Sequence, residues 1–355
     1  MQEMNPCTPT FGMEEGEPMV KKRSTGAVPL SETRDKKERQ QWLDALRALA
    51  MLLVIVGHQA KGQAVFHLFA SPIKLPLFFA ISGYLFHGQD KSVPDFAKSL
   101  IRRLAVPWLI AVTASVLVQI PFHGLSAVPG EVRSVFVDVT LWYLPCLFFA
   151  EILFYITLKV GRTLPAIVTI AIAMGLVGLV LARRHILDAM MLNTACIAQL
   201  FMLLGYLIRH CEAPLFRMKW PVIACGVAVY ILLGVVGMRL WPGKHIDVHR
   251  NVYAFLPHSM AMICVGCTTA AMLFHRIGRF PGLCVFIGQN TLIYYMAHNY
   301  VIAAVNRVCK LLGLHMPLVL SITVTTIITC LACALLAVIV NRFLPELAGR
   351  RRRSA

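Results

Sequence analysis

Apolar runs of about 18 to 25 residues recur from residue 43 to near the end of the chain, each long enough to cross a hydrocarbon core about 30 Å thick. A soluble core helix keeps a polar face. Residues 48–56 and 166–181 have none, so lipid is the better solvent for them. The pattern predicts spans near residues 43–60, 65–87, 103–121, 135–158, 163–182, 190–208, 220–240, 253–275, 284–306 and 316–343. Proline and glycine punctuate the joins, as at residues 92–94, 129–130, 242–243 and 281–282. The expected fold class is all-α: a polytopic membrane helix bundle of about ten transmembrane helices. No internal repeat is visible, which argues against an inverted-repeat transporter.

Composition agrees. Of 355 residues, 58% are hydrophobic and 14% charged, whereas soluble domains carry about 25% charged residues. Residues 1–40 are polar and without apolar period, and read as a disordered cytoplasmic tail lacking the apolar region of a signal peptide. Residues 41–345 form the membrane domain, and residues 346–355 a basic cytoplasmic tail. Net charge is +17, but Lys and Arg concentrate in the tails and in the even-numbered connections. That distribution is a topology signal placing both termini in the cytoplasm, and it argues against a nucleic-acid partner. The pairs Cys264/Cys267 and Cys330/Cys333 have a CxxC spacing, yet they lie within predicted spans and lack nearby His or Asp. They read as small residues packed between helices, with no metal site expected.

Ionisable residues inside lipid are costly and need a partner, a cavity or a function. Arg47 and His58 stand eleven residues apart, about 16 Å of helical rise, and return to nearly the same face. A guanidinium at the cytoplasmic mouth can hold a phosphate through forked hydrogen bonds, and a histidine deeper in can take a proton from a hydroxyl. The bland alternative is a snorkelling arginine and a packed histidine. Lys98, Arg102 and Arg103 open the third predicted helix, either as positive-inside anchors or, facing Arg47, as a phosphate-binding mouth. Trp142 and Tyr143 precede Pro145 and suit an interfacial belt or a sugar-stacking site. Asn290, Tyr294 and His298, spaced i, i+4, i+8, imply a wet interior face.

These segments, taken in order, resemble the acyltransferase 3 family of integral-membrane O-acyltransferases, especially its fucose 4-O-acetylase-like branch. Residues 42–47 through Gly57-His58 resemble the opening motif, an Arg and a His separated by ten residues. Residues 75–86 resemble the second-helix motif, 96–107 the basic motif of the third helix, and 141–145 and 288–298 the later motifs. Two departures stand out: Ala48 replaces a common Gly, and Leu100 occupies the position three before Arg103 where many members have Arg.

The resemblance implies transfer of an acetyl or other short acyl group from acyl-CoA to a hydroxyl of a surface polysaccharide or lipid-linked glycan, in a bacterial inner membrane. It implies no bound cofactor, acyl-CoA being the donor substrate, with the glycan acceptor and membrane lipids as the other partners. It carries Arg47 and His58 over as the residues of activity, and Arg102, Arg103 and Lys98 as donor-binding candidates. Trp142, Tyr143, Asn290, Tyr294 and His298 are candidates for lining the acceptor cavity. A transporter or flippase of a lipid-linked glycan is the alternative. It should show intramembrane carboxylates for ion coupling, of which Glu151 is the main deeply placed example.

Overall fold

The computed structural model describes residues 30–60, 62–124, 128–130, 133, 141–242 and 256–344. Among them the regular elements are all helical. The long ones are α1 (Leu30–Gln59), α2 (Ala64–Lys74), α3 (Pro76–Tyr84), α4 (Val93–Leu100), α5 (Val106–His123), α6 (Tyr143–Val160) and α7 (Leu164–Arg183). They continue with α8 (Leu192–His210), the short α9 (Glu212–Phe216), α10 (Trp220–Leu240), α11 (Leu256–Ile277), α12 (Gly282–Gln289), α13 (Thr291–Leu311) and α14 (Leu318–Phe343). Met1–Lys37 and Glu38–Ala355 are separate units, and the apolar helices belong to the second. Residues 1–29 of the expected disordered tail, and the basic residues 346–355, lie outside the described residues. Within the expected tail, helix already begins at Leu30, because no proline interrupts residues 30–59 and Glu, Lys, Arg and Gln are good helix formers.

Nine segments among the described residues are long and apolar enough to cross a membrane. They correspond to nine of the ten predicted spans. The remaining one, the ninth, predicted at 284–306, is helical as α12 and α13 but falls short in apolarity, because His298, Asn299, Asn306 and, just beyond the predicted end, Arg307 interrupt α13.

Two predicted spans are broken, and both breaks have local causes. The second predicted helix divides at Leu75, where Pro76 lacks the N–H that a continuous helix would use. The ninth divides at Asn290, whose φ of −117° and ψ of 17° end α12 and start α13. Between α4 and α5 the helix widens into a π turn over Ile101–Ala105, with the Val106 N–H bonded back to the Ile101 carbonyl. Pro107 follows directly and has no N–H to offer Arg103, so the wider turn avoids both the missing bond and the ring clash.

The core forms where α1, α3, α6 and α8 meet. Residues Gln41–Gln59 of α1, and α8, are mostly buried, whereas α10 and α14 present Leu, Ile and Val outward along much of their length. α3 and α8 cross backbone to backbone: a Cβ added at Gly205 would stand 1.7 Å from the Ala80 carbonyl oxygen, and one at Gly83 2.0 Å from that of Met202. Such crossings between small residues substitute for the hydrophobic effect, which lipid does not supply. α4 is docked on α6 by Phe96 stacked on Tyr155, ring centroids 4.3 Å apart, and its N-terminus is capped by Ser92 Oγ accepting from the Asp95 N–H at 3.3 Å.

Candidate active site

Arg47 is held on its own helix. Its Nη1 donates to Asp44 Oδ1 at 2.8 Å, three residues earlier, and Gln289 Nε2 from the end of α12 donates to Asp44 Oδ2 at 3.1 Å. Asp44 is buried while the Arg47 side chain is 28% exposed. The carboxylate therefore takes one part of the guanidinium and leaves the remaining donors free to turn into the space beside α1.

Arg103 arrives from the π turn. Its Nη2 donates to Oε2 of Glu151 on α6, a carboxylate almost completely buried, while the arginine side chain is half exposed. One residue earlier, Arg102 is exposed, as is Lys98 one helical turn before it.

Two adjoining cavities share Arg47, Arg103, Glu151 and Ser82 in their walls. The inner one, about 260 Å³, is otherwise lined mainly by apolar and aromatic groups, among them Val54, Phe78, Leu104, Tyr143 and Tyr295. The outer one, about 290 Å³, adds His87, Lys91 and Ser99. A chamber with cationic and polar groups thus adjoins a more apolar one, with the two arginines in the walls of both. Arg209 on α8 braces the outer chamber, donating to the Phe86 carbonyl at 3.2 Å and contacting His87 Nε2 at 2.7 Å.

At the other end of α1, His58 is exposed and its ring centroid lies 5.0 Å from that of His298 on α13. His298 is 1% exposed, with Nδ1 3.0 Å from the Tyr294 carbonyl and 2.9 Å from the Tyr295 carbonyl. Tyr295 connects this pair to the inner cavity: its ring lies 6.1 Å from that of His298, and its hydroxyl accepts the Tyr143 backbone N–H at 3.0 Å. Val54, one turn before His58 and on the same face of α1, also lines that cavity.

The family model for an acyltransferase domain matches residues 40–338, most of the chain. The chain belongs to this acyltransferase family. No curated protein and no solved structure matches it.

The acyltransferase thus brings some of its sequence-designated residues together and separates others. Arg47, Arg103 and Tyr143 share the inner cavity. Lys98 and Arg102 lie on the exposed side of the same helical stretch and line neither chamber. Trp142, half-buried, packs edge-to-face against Tyr143 at 6.2 Å. Asn290 and Tyr294 do not form a wet face towards the cavity. Asn290 accepts from Asn341 Nδ2 at 2.7 Å, and Tyr294 donates to the Cys330 carbonyl at 3.0 Å. Their polar stripe instead joins α13 to α14, because in an apolar setting side-chain hydrogen bonds between helices satisfy polar groups as well as water does. Sequence reading missed Lys91, His87, Gln289 and Tyr295. For Gln289 and Tyr295 there was a signal, since both lie inside the residues 288–298 motif; for Lys91 and His87 there was none.

Proposed function

We propose that this acyltransferase moves an acetyl or other short acyl group from acyl-CoA to a hydroxyl of a surface polysaccharide or lipid-linked glycan in a bacterial inner membrane. The observation that carries the reading is the pair of arginines, Arg47 and Arg103, standing in the walls of both a chamber with cationic and polar groups and a more apolar one. Acyl-CoA has the complementary chemistry, a polyanionic nucleotide end and a slender uncharged arm ending in a thioester. Guanidinium forks suit the phosphates, and the apolar walls suit the arm. The rise of about 16 Å along α1 from Arg47 to His58 is on the scale of an extended pantetheine arm. The Lys and Arg distribution puts the arginine end on the cytoplasmic side, where acyl-CoA is found.

In this mechanism Arg47 and Arg103 hold phosphate and His58 is the general base. His58 takes the proton of the acceptor hydroxyl while the oxygen bonds to the thioester carbonyl carbon. The C–S bond then breaks, and the departing thiolate takes a proton back from His58. General-base assistance is worth about 10²- to 10⁴-fold in rate. The resemblance to the fucose 4-O-acetylase-like branch supports a sugar hydroxyl as acceptor.

The test is chemical. In a deletion strain, O-acyl esters on the surface polysaccharide are counted by NMR and polymer is quantified. The reading expects ester lost with polymer retained, and the same result for His58→Ala at normal membrane abundance. Loss of the polymer itself would instead support the transporter alternative, and normal esters in His58→Ala would remove the general-base role.

A further inference from the structure

The corner between α3 and α4 carries Lys91 into the outer chamber, and a single 3₁₀ turn, Gly88–Asp90, is its only regular structure. It is pinned from two neighbouring helices instead. Tyr155 on α6 donates to the Lys91 carbonyl at 3.2 Å. Arg209 on α8 takes the other end. Its Nη1 donates to the Tyr84 carbonyl at 3.4 Å and to the Phe86 carbonyl at 3.2 Å, and its Nη2 lies 2.7 Å from His87 Nε2. Carbonyls at the end of a helix lack partners within it, and a guanidinium can collect several of them at once. Arg209 stands one turn beyond Gly205, where α8 crosses α3 backbone to backbone, so α3 sets where the arginine arrives.

These bonds fix the state of His87. Its Nδ1 lies 2.7 Å from the Leu85 carbonyl, which only accepts, so Nδ1 carries the proton. Nε2 faces a guanidinium, which only donates, so Nε2 offers its lone pair. One neutral tautomer meets both demands. The longer 3.4 Å approach of Arg209 Nη1 to Nδ1 is then a contact between two donors. With both nitrogens committed, His87 lines the chamber but has no N–H left to give a phosphate. Arg209 lines neither chamber. Lys91 does have donors to spare: one N–H goes to Ser99 Oγ at 3.4 Å, and an ammonium carries three.

We propose that Arg209 and His87 are positioning residues for the nucleotide end of the donor: together they set the corner from which Lys91 reaches phosphate, and neither touches phosphate itself. The inference rests on the outer chamber being the phosphate site of acyl-CoA. Its consequence is selective. Loosening the corner should weaken a donor that carries phosphate and leave a donor without phosphate untouched, because the thioester and its arm lie beyond the corner, in the inner cavity.

Two donors and three variants test this. Acetyl-CoA is compared with S-acetyl-pantetheine, which has the same thioester and arm but no phosphate. Arg209→Met removes every donor of the brace at similar length. His87→Phe keeps a ring and leaves the Arg209 charge in place, but removes the acceptor at Nε2. The third variant combines them. Thiol release is followed in inverted membrane vesicles of the producing strain at equal protein abundance, over a range of each donor.

The expected result is a KM for acetyl-CoA raised about tenfold in Arg209→Met and by a smaller factor in His87→Phe, with maximal rates within about twofold of wild type. The double variant should be no worse than Arg209→Met, since both substitutions break one network. KM for S-acetyl-pantetheine should not change in any of them. An unchanged KM for acetyl-CoA in Arg209→Met would overturn the inference. So would a rise shared equally by the two donors, which is what a general loosening of the fold produces. A raised KM in Arg209→Met beside an unchanged one in His87→Phe would mean that the arginine meets phosphate itself, and would overturn it as well. If the wild-type protein has the same KM for both donors, the phosphate reading of the outer chamber fails first, and the inference goes with it.

Discussion

Gly288 rests on the backbone of Asp44 so closely that a Cβ added to it would stand 1.8 Å from the Asp44 carbonyl oxygen. The next residue, Gln289, then reaches the Asp44 carboxylate, which holds Arg47. A crossing of two helix backbones therefore sets the position of the arginine shared by the two chambers. Gly288→Ala has only backbone to displace, so α12 must move away from α1. Overpacking costs about 1–3 kcal/mol, and this contact belongs at the upper end. The expected outcome is a lower thermal midpoint in detergent together with a loss of acyl transfer larger than the unfolded fraction accounts for. Wild-type stability and rate would mean that the crossing has slack.

Arg47→Lys keeps the charge but not the fork. A lysine that pairs with Asp44 retains no planar set of further donors to turn into the cavity. KM for acetyl-CoA should rise at least about tenfold, one forked contact being worth at least about 1.4 kcal/mol. A KM within twofold of wild type would take the phosphate-holding role away from Arg47.

The cations around the third predicted span should separate by position rather than by charge. Arg103 and Lys91 line the chambers; Arg102 and Lys98 do not. Arg103→Ala and Lys91→Ala should therefore each raise KM for acetyl-CoA by more than Arg102→Ala or Lys98→Ala, and the difference should shrink as salt is added. Equal effects from all four would point to a diffuse basic surface instead of a shaped one.

Glu151 is nearly buried, and Arg103 is its partner. Glu151→Gln removes the charge and keeps the shape. Breaking a fully buried pair costs about 3–5 kcal/mol, but the Arg103 side chain is 53% exposed and keeps access to water, which brings the expected cost down to about 1–2 kcal/mol. Thermal unfolding in detergent checks it. If Glu151→Gln is as stable as wild type while Arg103→Ala is much less stable, the arginine is being held by something other than this carboxylate.

Much of this was legible in residue order alone. Apolar run length marks the spans because lipid tolerates no unpaired backbone, and helical period places Arg47, Val54 and His58 on one face of α1. Proline position alone did not mark the break: residues 65–87 read as one span, Pro72 sits inside α2, and the helix divides only before Pro76. The stripe Asn290, Tyr294, His298 was equally visible as a stripe, but not what lies against it. Two of its members bind α14, and the third stands beside His58.

By itself the sequence determined the all-α membrane architecture, the helix periods and the chemical types available, because these depend on interactions within one segment and with its solvent. Only the tertiary structure decided that Arg103 rather than Arg102 enters the cavity, that Lys91 rather than Lys98 accompanies it, and that His58 meets His298. Period gives the face of a helix on which a residue lies. Which neighbour covers that face depends on packing between segments distant in sequence, such as the π turn that aims Arg103 at Glu151 and the glycine that lets α12 reach Asp44.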